Sequence, residues 1–247
     1  MSTTLENKIK ERWERINQES DQSDHPVESI SLQALAAKID HTALKPLTRE
    51  QDIRKLCQEA NDHQFASVCI HSYWVPLCAK LITDPLVSVC TVVGFPLGAN
   101  STAVKAKESQ WAAEQGATEI DMVLNLGMLK SENYDIVTAD ISAVVEAAPK
   151  AKIKVIMETC LLTDREKVAA CVCAQAAGAH FVKTSTGFST RGATVHDVRL
   201  LRQAAGQDMG VKAAGGIRDY ETALAMIRAG ADRIGASASL AIVKAQS

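Results

Sequence analysis

Aromatic side chains are scarce in this chain of 247 residues, with four Phe, three Tyr and three Trp. That scarcity beside an apolar fraction of 47% is the composition required by one barrel domain of roughly 250 residues. Charge of one sign is not in excess either: 27 basic residues stand against 29 acidic ones, without a long block of either. The balance argues against nucleic acid or a membrane surface as partner and for a small molecule. No apolar stretch follows a basic start, and no window offers roughly 18 uncharged apolar residues, so a soluble cytoplasmic protein is expected. Seven cysteines (Cys57, Cys69, Cys78, Cys90, Cys160, Cys171, Cys173) are an odd number scattered over a long chain, which reads as buried free thiols rather than a disulfide framework. Cys171 and Cys173 have no second Cys/His pair at zinc-site spacing, so no metal is expected.

What is present divides unevenly. Leu5, Ile9, Trp13 and Ile16 fall at helical spacing inside a charged segment, which predicts one amphipathic helix lying on the main domain or on a second subunit. The polar run Gln18–Pro26 reads as a linker, so residues 1–30 form an arm and 31–247 the catalytic domain. From about Leu32, short β-type runs alternate with helical patterns at a spacing of roughly 25 residues, the mark of repeated βα units. Eight strands are predicted: Lys38–His41, Ala66–Ile70, Val87–Val93, Thr118–Val123, Ile153–Glu158, His180–Thr184, Gly210–Ala213 and Asp232–Gly235. Thr48 with Gln51 and Thr163 with Glu166 have the spacing of helix N-caps, and Gly178 and Gly230 are placed to end helices. Eight units favour an α/β (β/α)8 TIM barrel with an extra N-terminal helical arm, although an open doubly wound sheet produces similar local patterns.

In such a barrel the reactive groups stand where strands run into βα-loops. Asp121, Lys183 and Lys212 are charged residues in otherwise apolar strands. An isolated buried charge is strongly penalised unless it is paired or neutralised. If both lysines point inward, the second cation together with desolvation favours a free amine on Lys183, and a free amine attacks aldehydes. Asp121, two strands away, would balance charge and exchange protons with substrate. The plainer alternative is a structural ion pair. A lone strand lysine such as Lys154, early in its strand and toward the bottom of the barrel, is expected to serve stability. Two small-residue loops, Ala214-Gly215-Gly216-Ile217 and Gly235-Ala236-Ser237-Ala238, together with Thr184-Ser185-Thr186-Gly187, offer backbone N–H groups and hydroxyls to a phosphate. Taken singly, each also reads as an ordinary loop.

These segments resemble deoxyribose-phosphate aldolase. The likeness runs from about Ile39 to Ala241 through Ile39-Asp40-His41-Thr42-Ala43-Leu44-Lys45, Val68-Cys69-Ile70, Glu119-Ile120-Asp121-Met122-Val123-Leu124-Asn125, Phe181-Val182-Lys183-Thr184-Ser185-Thr186-Gly187-Phe188 and Val211-Lys212-Ala213-Ala214-Gly215-Gly216-Ile217-Arg218. The resemblance implies a class I aldolase that reversibly cleaves 2-deoxy-D-ribose 5-phosphate to D-glyceraldehyde 3-phosphate and acetaldehyde in deoxynucleoside breakdown, without a cofactor. It implies Lys183 as Schiff-base former and Lys212 and Asp121 as proton relay. Asp40 and Thr42 would bind substrate hydroxyls or hold the relay, and Thr186, Gly187, Gly215, Gly216, Gly235 and Ser237 would contact phosphate. One position departs: some members carry a lysine after the loop glycine where this chain has Phe188, which puts the strictness of phosphate recognition in doubt. The expected partners are a phosphorylated sugar and aldehydes, with a homodimer as the expected assembly. Two alternatives remain open, another Schiff-base aldolase or isomerase on a phosphorylated sugar and a barrel that only binds.

Overall fold

The closing of the sheet decides between the two architectures. A computed structural model describes residues 4–18 and 30–244. Its strands are β1 (Ile39–Ala43), β2 (Ser67–Ile70), β3 (Ser88–Val93), β4 (Glu119–Val123), β5 (Lys152–Ile156), β6 (Phe181–Lys183), β7 (Gly210–Ala214) and β8 (Arg233–Ala236). All pair in parallel in sequence order, and β8 returns to β1 with Ile39 opposite Ile234 and Asp40 opposite Gly235. An open doubly wound sheet is thereby excluded. Each strand lies within two residues of its predicted bounds. β5 is cut short of Glu158, where the backbone turns left-handed at φ 52°.

Eleven α-helices are present among the described residues: α1 (Thr4–Gln18), α2 (Leu32–Ala36), α3 (Glu50–His63), α4 (Val75–Leu81), α5 (Thr102–Glu114), α6 (Leu126–Lys130), α7 (Tyr134–Ala147), α8 (Asp164–Ala176), α9 (Val195–Ala205), α10 (Tyr220–Arg228) and α11 (Ser239–Lys244). None is long and apolar enough to cross a membrane. At the start of α8 Thr163 and Glu166 form the expected reciprocal cap, with Glu166 Oε2 accepting from Thr163 N at 2.7 Å. Gly178 and Gly230 follow helix ends at φ 78° and 104°, a conformation in which a Cβ would be strained. Thr48 does not cap α3. Its hydroxyl donates to Lys45 O at 2.7 Å, and the helix starts one residue later, where Asp52 accepts from Arg49 N at 2.9 Å.

Strand side chains alternate with a period of two, so each strand serves two environments. On β4, Ile120 and Met122 join the aliphatic layer between strands and helices, and Glu119 and Asp121 point the other way, into the barrel. The interior holds its own small apolar cluster of Leu44, Cys69, Cys90 and Val92, with Phe95 against it. All seven cysteines are free, and every one but Cys160 is buried. α1 lies on its own barrel, over α8 and α9: Ile9 and Ile16 are buried, and the Arg12 guanidinium donates to Ala204 O and, at 3.3 Å, to Gln175 Oε1. Beyond Gln18, the last residue of α1, the predicted linker lies outside the described residues.

Candidate active site

Register puts three bases side by side. Lys183 on β6 is opposite Lys212 on β7, which is opposite Arg233 on β8. Like charges in adjacent positions are tolerated because carboxylates from β1 and β4 reach across the barrel to them. Asp121 Oδ2 accepts from Lys183 Nζ at 2.8 Å and from Lys212 Nζ at 2.7 Å, one oxygen bridging both ammonium groups. Its other oxygen accepts from Lys154 Nζ at 2.7 Å. Lys154 also pairs with Glu119 at 2.7 Å, Glu119 accepts from Arg233 at 2.8 Å, and Arg233 Nε donates to Asp40 at 2.9 Å. Asp40 pairs in turn with Lys212. The sequence Asp40, Lys212, Asp121, Lys154, Glu119, Arg233 is thus a closed ring of alternating charge.

The ring has equal numbers of acids and bases, which makes Lys183 the surplus cation. Each base of the ring has at least two carboxylate partners, whereas among the described residues Lys183 is paired with Asp121 alone. Lys154 was expected to be mere support low in the barrel. Lys154 is ion-paired, as a supporting residue would be, but its place is corrected: it sits opposite Asp121 in the β4–β5 register, and its long stem delivers the ammonium into the same centre.

Burial and charge act in opposite directions on these groups. Burial disfavours the Asp121 carboxylate, but the Lys154, Lys183 and Lys212 ammonium groups outweigh it and hold the group well below the ordinary aspartate value. Asp40 is lowered in the same way, chiefly by Lys212 and Arg233 against its own burial. Burial alone would pull Lys212 down, yet Asp121 and Asp40 raise it above an ordinary lysine. Lys154 is raised too, with Asp121 the leading contributor against burial. The interior is therefore a set of fixed full charges.

The ligand atoms of Cys69, Cys90 and Asp121, and likewise of Asp40, Cys90 and Glu119, lie close enough together to share an ion. Their chemistry does not fit one. The carboxylates are already committed to cations, and burial, then the hydrogen bond with Cys69, drives the Cys90 thiol well above its ordinary value. A metal there would meet the ammonium groups of Lys154 and Lys212.

Above the ring a cavity of about 850 Å³ opens at the C-terminal ends of the strands, within the range of small-molecule sites. Lys183 lines it, 3% exposed. So do Thr42, Thr186, Gly187, Gly215, Gly216, Gly235 and Ser237, along with Phe188, Lys45 and Arg218. Gly215 and Gly216 have φ of 89° and 82°, and a Cβ on Gly215 would stand 2.9 Å from Gly192 Cα, so the loop after β7 needs glycine to pack against the loop after β6. Asp40, Asp121 and Lys212 do not line the cavity; they lie behind Lys183 in the ring. Of the two parts expected for Asp40, this placement favours holding the relay.

Thr186 is engaged by a residue that the sequence did not single out. The buried Glu158 accepts its hydroxyl and, at 3.3 Å, its N–H. Thr186 Oγ1 in turn accepts from Phe188 N at 3.0 Å, so Glu158 holds the loop that follows Lys183. Glu119 and Arg233 were also missed. Their signal was available, since each lies two residues from an inward position of its own strand, Asp121 and Gly235.

Comparison with known proteins agrees with this geometry. A model of the DeoC/LacD family aldolases matches residues 34–245. The chain belongs to the DeoC/LacD aldolase family. It is an aldolase, a carbon–carbon lyase, and α1 lies outside the matched segment. The deoxyribose-phosphate aldolase of Clostridium tetani is 58% identical over 207 residues, 83% of this chain and 96% of that protein. The one from Bacillus subtilis is 58% identical over 214 residues, 86% and 96% of the two chains. Among solved structures, a putative deoxyribose-phosphate aldolase from Coccidioides immitis superposes with a TM-score of 0.87 at 38% identity, over 96% of this chain and 97% of that one. The tetrameric enzyme of Aeropyrum pernix gives 0.82 at 37% identity, over 87% and 92%.

Proposed function

We propose that this aldolase cleaves 2-deoxy-D-ribose 5-phosphate reversibly into D-glyceraldehyde 3-phosphate and acetaldehyde, through an iminium on Lys183. The observation that carries the reading is the placement of Lys183 as the surplus base over a neutral ring, at the floor of a cavity with glycine-rich walls. Loss of the Lys183 proton leaves the resting centre neutral, whereas loss of a ring proton before substrate is bound would leave carboxylates short of a cation. The freed amine adds to the C1 aldehyde of the open-chain sugar, and loss of water leaves the iminium. A base takes the proton of the 3-hydroxyl, the C2–C3 bond breaks, and its electron pair moves through C2 to the iminium nitrogen as an enamine. Glyceraldehyde 3-phosphate departs. Protonation of the enamine at C2 and addition of water then release acetaldehyde and restore the amine.

The residues behind Lys183 supply the proton traffic. Asp121, kept as a carboxylate, is the acceptor and Lys212, kept as an ammonium, the donor, and both meet at one oxygen atom beside Lys183. The iminium nitrogen is itself the electron sink, so the reaction calls for no metal or organic cofactor. Gly215, Gly216, Gly235, Ser237 and Gly187 would hold the phosphate through backbone N–H groups and a hydroxyl. Thr186 contributes first through its bond to Glu158, and Thr42 faces the sugar. The Cys69 thiol, lowered to about 7 chiefly by its hydrogen bond with Cys90, is fully buried, which keeps it from aldehydes in the cavity.

The reading extends to a part in deoxynucleoside breakdown in the cytoplasm, a reducing compartment that suits free thiols. It also extends to a homodimer, the assembly that the family resemblance implies. The deciding experiment supplies deoxyribose 5-phosphate, measures acetaldehyde, and traps the intermediate with borohydride. A mass increase mapped to Lys183 is expected. Turnover without an adduct, or an adduct on another lysine, refutes the assignment, and turnover only with other sugar phosphates moves the substrate elsewhere.

A further inference from the structure

His41 belongs to the first-strand motif but has no part in the chemistry above. Asp40 and Thr42 face the barrel interior, so His41 faces out, beneath the loop that follows β8; its register partner is Ala236. Its Nδ1 stands 2.9 Å from Ser239 Oγ and its Nε2 2.8 Å from Glu59 Oε2 on α3. Ser239 Oγ donates to Ala236 O at 3.0 Å. Between Ala236 and Ser239 lies Ser237, which lines the cavity. The array Ser239, His41, Glu59 has the order of a hydrolytic triad, but Ser239 is fully buried and does not line the substrate cavity, so its hydroxyl is not placed to act as a nucleophile there. What it does touch is the loop.

We propose that His41 is a positioning residue for phosphate binding: backed by Glu59, it sets through Ser239 the conformation of the 236–239 loop that presents Ser237 to the substrate. This rests on the phosphate site of the proposed aldolase. Counting protons gives the device its sense. Nε2 faces a carboxylate and must carry a hydrogen. When His41 is neutral, Nδ1 is an acceptor and draws the Ser239 proton away from Ala236 O. When His41 is charged, Nδ1 donates, and Ser239 returns its proton to Ala236 O and ties the two ends of the loop together. The titratable groups facing the ring are Glu59 and His63 of α3, with Phe65 packed on it at 5.0 Å. Burial, ahead of the opposing Glu59, lowers His41 from 6.5, so the change falls on the acid side of neutrality.

The test compares kcat/KM for 2-deoxyribose 5-phosphate and for unphosphorylated 2-deoxyribose in wild type, His41→Gln and Ser239→Ala, from pH 7.5 to 5.5. Both variants are expected to raise KM for the phosphorylated sugar about fivefold, the effect of one lost hydrogen bond, with a much smaller effect on the free sugar. The wild-type advantage is expected to grow as pH falls, and dividing by each variant cancels the titration of the substrate's own phosphate. Ser239→Ala, the gentler change, gives the result if His41→Gln does not fold. Equal losses on both sugars, no change in KM, or a wild-type to variant quotient flat in pH each overturn the proposal. A wild type that cleaves both sugars equally removes the phosphate site beneath it and the proposal with it, while Lys183 trapping reports separately on the aldolase.

Discussion

Lys154→Met tests whether the charge count, rather than contact with substrate, sets the reactivity of Lys183. Lys154 is fully buried and stands behind the cavity, against Asp121 and Glu119 at 2.7 Å each. Removing it leaves two carboxylates short of a partner, a change that costs roughly 3–5 kcal/mol when a buried pair is broken. That is survivable for a domain with roughly 5–15 kcal/mol in hand, and is expected as a lower urea midpoint. The effect on rate follows separately. With Lys154 gone, three acids face Lys183, Lys212 and Arg233, and neutrality now requires the Lys183 ammonium. Two ammonium groups bridged by one carboxylate stand about 5 Å apart, and at an effective dielectric constant of about 20 a unit charge there is worth about 3 kcal/mol. A fall in kcat/KM of roughly 100-fold is therefore expected. The double variant Lys154→Met/Glu119→Gln restores a surplus of one base and removes one orphaned carboxylate. It is expected to recover both stability and turnover relative to Lys154→Met alone. Acetaldehyde release and urea unfolding measure the two quantities. A double variant no more active than the single one, or a single variant at wild-type rate, refutes the reasoning.

Lys183→Ala is expected to abolish turnover and borohydride labelling with the circular dichroism spectrum unchanged; residual activity at even a few per cent of wild type would remove the nucleophile. Asp40 and Asp121 are lowered below 3.8 by neighbouring cations that outweigh burial, so their contribution to stability is complete above about pH 4 and drains away as pH falls through the lowered values. Lys154 and Lys212 are raised above 10.5, so theirs is complete below that pH and is lost as pH rises through the raised values. Urea unfolding is expected to give a broad plateau with an acid limb that Asp121→Asn largely removes, and an unaltered limb would contradict the pairing. Phe188→Lys puts a cation at the cavity wall, where Phe188 is now 49% exposed. KM for the phosphorylated sugar is expected to fall about threefold to fivefold with little change for free deoxyribose, and equal effects on both would place the phosphate elsewhere.

The barrel was legible because its strands are short, β-rich and evenly spaced, and because alternation along β4, β6 and β7 marks Asp121, Lys183 and Lys212 as charges among apolar residues. The reach of Lys154, not its ion pairing, was misjudged, since its position along the strand locates the backbone, while a four-carbon stem carries the charge farther up the barrel. Arg233 and Glu119 escaped notice for another reason. Each looks like an ordinary strand-edge charge until β8 meets β1 and the barrel interior brings them together. Glu158 gave even less sign, because its importance lies in a left-handed turn and a bond to Thr186 that no local pattern announces. Thr48 shows the reverse case, a good cap spacing whose hydroxyl found a nearer carbonyl.

The seam between the first and last strands has a consequence for how the protein is born. Asp40 emerges from the ribosome well before Arg233, one of its cations, and Glu119 also waits for that residue. A nascent chain lacking its final strand must keep these acids wet or leave them mismatched. The charged centre is therefore assembled in one act once β8 has joined β1, and no product cut before β8 should retain a partly working one.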